Sequence, residues 1–395
     1  MSDPGDTFTE VTSRSWISRI GQSIVGVLIG LVMVIASIVV LFWNEGRAIQ
    51  TARSLAEGAG LVVDVDSARV DPGNEGKLVH ISGDLTAPGR LSDAEFGVTA
   101  KGLRLVRAVE MYQWKEETKT ETHQKLGGGE EDVTTYTYHR VWSDTRHDSS
   151  RFRHPDGHEN PTMRYHRVDV IARDATLGAF HPGEQVLRLL PADERLSVDP
   201  AMVGSSSTRG GSPVQVADGD LYLGNDPSNP RIGDLRISYR LAPNGSASII
   251  GRQTGTDLTE YQAKAGDQLL MATPGVASAA QMFKAANDEN RMLTWVLRFV
   301  GAVLMFIGFA LILRPLVVVA DVVPFIGNIL GAGVALVALG LTAVLAPAII
   351  AIAWFAHRPL LSIAVIAIGL IVAFGVRTLA TRRVQTASTA QKAAT

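Results

Sequence analysis

Histidine has the widest chemical range of the side chains here, because its neutral ring binds metals and its pKa lies near neutrality. Nine occur in the chain. His147, His154 and His158 lie closest together, the last two inside Arg153-His154-Pro155-Asp156-Gly157-His158. Proline and glycine make this stretch a turn, so the rings do not share a helical face of the kind that offers i,i+4 ligands. The expectation is solvated loop histidines and no metal site. With no cysteine in the chain, disulfides, thiolate nucleophiles, Cys-ligated zinc and iron–sulfur clusters are all excluded. No P-loop, dinucleotide fingerprint or G-x-S-x-G elbow is present. Gly127-Gly128-Gly129 lacks the strand-then-helix setting that cradles phosphate. Glu116-Glu117 and Glu130-Glu131 stand in charged stretches where shifted pKa values are not expected. These residues point to no catalytic residue, no cofactor and no enzyme; the enzymatic alternative would use His158 with nearby acids.

Other polar and small residues suggest assembly. Asn44, Glu45 and Arg47 follow directly on an apolar run. They read either as a helix exit with charges at headgroup level or as a joint that locks an attached domain to the bilayer by polar pairing. Gly26 and Gly30 form a GxxxG, as do Gly327 and Gly331. Small residues at that spacing let helices approach closely, so these four are candidate packing positions. Tyr112, Trp114 and Trp142 share parity with Tyr136 and Tyr138 on a β-prone stretch. They read as a packed sheet face or as an exposed partner surface.

The elements that position these residues follow from charge distribution. Net charge is −2 and mean hydropathy +0.15, values that hide a strong segregation. Ser23 to Trp43, Phe299 to Leu313, Val322 to Phe355 and Leu360 to Val376 carry no charged side chain. Each is near the run of about 20 residues that spans a hydrocarbon core as a helix. The expected fold class is a membrane protein of α+β type, with four transmembrane helices and a large, mainly β extramembrane domain between the first and second. The expected order is a cytoplasmic tail 1–19, span 20–43, non-cytoplasmic domain 44–292, spans 293–313, 322–355 and 360–376, and a basic tail 377–395. The first apolar run exceeds the 7–15 residues of a signal-peptide core, and no A-x-A-like site follows, so a retained anchor is expected. Pro324 and Pro347 make the third span long and kinked, with a re-entrant pair as the alternative.

Orientation rests on basic residues, which stay cytoplasmic near span ends. Arg14 and Arg19 precede the first span, and Arg377, Arg382 and Arg383 follow the last. Trp43, Trp295 and Trp354 then fall at the non-cytoplasmic interface, where indole finds both apolar and wet surroundings. His357-Arg358-Pro359 is a basic turn on the wrong side for this rule. Near-zero net charge speaks against nucleic acid as a partner.

Within 44–292, Ala48 to Ala59 reads as a short helix. Leu61–Val65, Lys77–Leu85, Tyr165–Arg173, Val186–Leu190, Asp220–Leu223, Leu235–Leu241 and Ile249–Gln253 read as strands. Leu103–Thr122 and Val133–Val141 form a long hairpin with a loose glycine tip. Centred near Gly128, it sets Trp114 opposite Trp142. Gly204 to Pro213 reads as a mobile loop, and Ala277 to Asn290 as a helix entering the second span.

Several strings resemble the LUMA (transmembrane protein 43) family: Asn44-Glu45-Gly46-Arg47-Ala48, Thr51 through Gly58, and Asn74 through Ile81. Leu91-Ser92-Asp93, Val109 through Trp114, Gly157-His158 with Asn160-Pro161, Gly233 through Arg236, Ala265-Gly266-Asp267 and Arg358-Pro359-Leu360 continue in order. The resemblance implies one N-terminal span, a luminal domain and three C-terminal spans. It also implies a self-associating scaffold of the endoplasmic reticulum and inner nuclear membrane, linked to emerin and lamins, with no catalytic residues to carry over. The expected function is therefore a non-enzymatic membrane scaffold, a homo-oligomer contacting lipid and other membrane or envelope proteins. A channel or lipid-handling protein is the alternative. The expected site is a bacterial inner membrane with a periplasmic domain, or the endoplasmic reticulum or inner nuclear membrane in a eukaryote.

Overall fold

The computed structural model describes residues 6–200, 208–209, 212–321 and 324–358. The expected fourth span, 360–376, and the basic tail lie outside these residues. The chain divides into two compact units, one built from residues up to 16 together with 51–289, the other from 17–50 and from 290 onward.

Four helices are present among the described residues: α1 (Trp16–Leu61), α2 (Glu184–Leu189), α3 (Ala279–Ala320) and α4 (Pro324–His357). Three of them are long and apolar enough to cross a membrane, over Trp16–Leu61, Ala279–Ala320 and Ile329–His357. A chain in hydrocarbon must satisfy its backbone internally, and the helix does so within one segment. Span hydroxyls follow the same rule: Ser23 and Ser37 donate to the carbonyls of Ile20 and Val34, and Thr342 to that of Ala338. The short helix expected at 48–59 is the continuation of α1, which has no proline to end it. The third apolar run is one helix, with Pro324 opening it and Pro347 inside.

The unit of 51–289 and the N-terminal residues is β-rich. A nine-stranded sheet runs from the N-terminal strand Thr7–Arg14 through Glu130–Ser143 and Arg104–Gln124 to Leu235–Ala242, then Asp220–Leu223 and onward. A six-stranded sheet centres on Leu78–Thr86 and Gly245–Thr254. The core follows the period of two along paired strands. Leu105, Arg107, Val109 and Met111 stand directly across from Leu241, Tyr239, Ile237 and Leu235, and all eight are buried. A second cluster gathers Val79, Ile81, Leu177, Phe180, Leu187 and Ile249.

One polar group sits inside the first core. Arg107 Nη1 donates to Asp93 at 2.8 and 3.1 Å, and the Tyr239 hydroxyl donates to Asp93 Oδ2 at 2.7 Å. Burial, then the Asp93 carboxylate, pushes the Tyr239 phenol far above its ordinary value. A buried charge survives only when paired and hydrogen-bonded, and this triad meets that condition.

Val186–Leu190, expected as a strand, lies mostly in α2, whose bounds are Glu184–Leu189. A short apolar run does not reveal its period, and the choice was open on pattern alone. Of the expected loop 204–213, residues 208–209 and 212–213 pair as short strands, and the remainder lies outside the described residues. Leu61–Val65 shrinks to the strand Val63–Asp64.

The hairpin is present, longer than expected on both sides. Its register differs by one step. Tyr112 faces Trp142 and Trp114 faces Arg140, so Trp114 and Trp142 are not partners. The loop is centred on Gly127, because Lys125 N–H closes on the Gly129 carbonyl at 2.8 Å. The tip is also not loose. Gly128 (φ +79°) lies against Trp16, whose Cδ1 would stand 2.5 Å from any Cβ added there.

Beyond Met111 the hairpin leaves Leu235–Ala242 and becomes an arm, flanked on one side by Thr7–Arg14. That strand pairs from Thr7↔Thr137 to Arg14↔Glu130. Arg14 pairs with Asp132, and Arg153 donates to Glu10 at 2.8 Å. Residues 7–14 and 130–137 therefore belong to one sheet.

Candidate functional site

The residues expected as a joint are brought together in the helical unit. Asn44, Glu45 and Arg47 occupy one stretch of α1 and meet a polar stripe on α3, Asn290, Thr294 and Arg298, spaced four apart on one helical face. Glu45 is only 1 % exposed. Arg298 grips it in a fork, Nε to Oε1 at 2.7 Å and Nη2 to Oε2 at 2.8 Å. Trp354 of α4 donates its indole N–H to the same Oε2 at 2.8 Å. Glu45 thus ties three helices at one point. The fork matters because bidentate, charge-assisted bonds are the strong ones.

Asn44, fully buried, donates to the Thr294 carbonyl at 3.1 Å. Asn290 donates to the Ala48 carbonyl at 3.0 Å. Arg47 donates to Asn290 Oδ1 at 2.9 Å, Thr294 Oγ1 at 3.0 Å and Asn44 Oδ1 at 3.3 Å. The pairing is helix to helix. A second buried ion pair, Arg19 with Asp321, joins the start of α1 to the residue after α3.

The four expected packing glycines separate. A Cβ on Gly30 would stand 2.6 Å from the Gly308 carbonyl oxygen, so α1 and α3 touch backbone to backbone there. Gly26 faces open space, and Gly331 has only an ordinary contact with Val317. Gly327 lies against Asp321. The partners that matter were missed: Gly308 at Gly30, and Gly301 under Leu41. They stand seven apart on α3, a two-turn spacing that a search limited to GxxxG passes over.

The hairpin aromatics are packed by their own chain. Tyr112 and Trp142 lie 5.2 Å apart, with Arg236 over the Trp142 ring at 4.9 Å. Trp114 meets His158 edge-on at 4.8 Å, and Tyr138 stacks on His158 at 4.0 Å. Phe8 stacks on His154 at 4.3 Å. His158 is therefore a buried ring in an aromatic cluster, which corrects the expectation of solvated loop histidines; the signal was the tyrosine and tryptophan parity itself. Burial, then the hydrogen bond to Glu116, pushes the Tyr138 phenol up to about 12. Burial, then Lys115, lowers His147. Among the described residues, no group of three or more histidines and acids is placed to hold a metal.

Comparison with known proteins bears on this geometry. The transmembrane protein 43 family description matches residues 111–359, from the arm to the end of α4. This chain belongs to the transmembrane protein 43 (LUMA) family. Transmembrane protein 43 of Mus musculus is 32% identical over 371 residues, covering 89% of this chain and 90% of the relative. The Homo sapiens protein is 31% identical over 369 residues, covering 90% of each. A Drosophila melanogaster homologue is 30% identical over 352 residues, covering 85% and 89%. No solved structure matches. The LUMA match spans Asn290, Thr294, Arg298 and Trp354, so most of the joint's partners for α1 lie inside it.

Proposed function

We propose that this LUMA-family protein is a non-enzymatic integral membrane scaffold that self-associates and organises neighbouring membrane proteins through its extramembrane domain. The observation that carries the reading is how the chain spends its buried charges. Glu45 goes to Arg298 and Trp354, and Asp93 to Arg107 and Tyr239. Groups committed in this way hold helices and sheets in place and are not poised for proton transfer. In this reading the bulk of 51–289 lies outside the cytoplasm and a fourth span covers 360–376.

Cross-linking in native membranes, read by mass, tests self-association. A ladder of homo-oligomers is expected, and a solitary monomer across lipid and salt conditions overturns the scaffold reading.

A further inference from the structure

His357-Arg358 sits awkwardly with the orientation read from basic residues. The place it occupies offers a reason. A groove of about 630 Å³ opens in the helical unit where α1 and α4 meet. Its floor is apolar, made by Ile38, Val39 and Phe42, and its head is polar, made by Arg47, Gln50 and His357. Ile38, Val39 and Phe42 are all exposed among the described residues.

The head carries charge. Every hydrogen bond of the Arg47 guanidinium goes to a neutral acceptor, on Asn44, Asn290 or Thr294. Its Nε is buried without a partner. Glu45, two residues before it, is committed to Arg298 and Trp354. Among the described residues no acid pairs with this half-buried cation, and such a cation favours an anion because the surrounding dielectric is low. His357 lines the same head. Its Nδ1 lies 2.8 Å from the Ala353 carbonyl, and its Nε2 edge lies over Gly46, where a Cβ would come within 2.5 Å. Glycine at 46 is what lets the ring lie in the groove.

We propose that this groove binds one anionic phospholipid, its phosphate on Arg47 and an acyl chain along Ile38, Val39 and Phe42. An apolar peptide would leave the guanidinium charge unanswered. A free phosphate would leave the floor bare. A lipid satisfies both halves, and this binding does not depend on self-association.

The test uses the full-length protein in mild detergent, with native mass spectrometry counting retained lipid. Phosphatidylglycerol and phosphatidylcholine of the same chains are compared, and inorganic phosphate is added alone in a thermal-shift arm. Wild type is expected to retain one phosphatidylglycerol, with about a tenfold preference over phosphatidylcholine, equivalent to about 1.4 kcal/mol. Arg47→Gln should lose that preference. Arg47 also ties α1 to α3, so Val39→Trp provides a second variant: it fills the exposed floor and leaves the joint intact. It should cut retention about tenfold. Undiminished retention in Val39→Trp, equal retention of the two lipids by wild type, or a shift by phosphate alone that matches the lipid overturns the proposal.

Discussion

At the scale of the residue, what distinguishes Glu45 is the number of helices that depend on it. Removing its charge leaves the half-buried Arg298 uncompensated, a loss bounded by the about 3–5 kcal/mol that breaking a fully buried pair costs. Glu45→Ala should therefore lower the thermal midpoint of the purified protein sharply. Glu45→Leu with Arg298→Leu should recover most of the loss, since two apolar groups leave no charge unpaired; failure to recover would mean that Trp354 carries the tie. Asp93→Ala should act alike in the β-rich unit, while Tyr239→Phe, which leaves both Arg107 bonds, should cost about 1 kcal/mol. His147 gives a pH dependence. Its folded pKa is lowered, so the unfolded chain takes up the proton first as pH falls through about 6.5. Its contribution is present above that value and is lost below it. The fall in thermal midpoint between pH 7.5 and 5.5 should be shallower in His147→Gln. Of these residues, Asn44, Glu45 and Arg47 were visible in the sequence because they end a charge-free run. Asn290, Thr294 and Arg298 were not singled out, because their role appears only when a second helix lies alongside.

At the scale of the element, the hairpin was legible from its alternation and its glycines, yet its register was not. A five-residue loop centres on Gly127, and shifting the centre by one residue moves every cross-strand partner. The strand Thr7–Arg14 was not legible at all. Its partner Glu130–Ser143 lies more than a hundred residues away, and a neighbouring span dominates the local pattern. Its pairing is testable because the chain contains no cysteine. Thr9→Cys with Thr135→Cys, residues directly opposite, should form a disulfide on mild oxidation. Both thiols should react with an impermeant maleimide from the same side of a sealed vesicle; labelling from opposite sides would refute the pairing. α1 and α3 give a separate test. Gly30→Leu should push them apart where Gly30 meets Gly308, and Gly26→Leu, facing open space, should be tolerated. The thermal midpoints of the two variants separate the positions.

At the scale of the whole molecule, the plan of spans at both ends and a β-rich middle was readable from charge distribution, because lipid tolerates no run of ionised side chains. The helix expected at 277–290, entering the second span, is the start of α3; what could not be read was that α1 runs on without a break past its apolar stretch to Leu61, where Leu55 joins the cluster of Leu78, Ile250 and Phe283. Sequence marks where the greasy stretch stops, but not where the helix stops. The edge position of Thr7–Arg14 has a final consequence, for how the protein is made. The ribosome releases this segment well before its mate, with all of α1 between them. During that interval it is a bare ribbon, open to any other exposed sheet edge in the cell. A bulky reporter fused ahead of Met1 would hinder its late annealing, so reporters placed at the two ends of the polypeptide should give different expression yields, with the amino-terminal version the poorer.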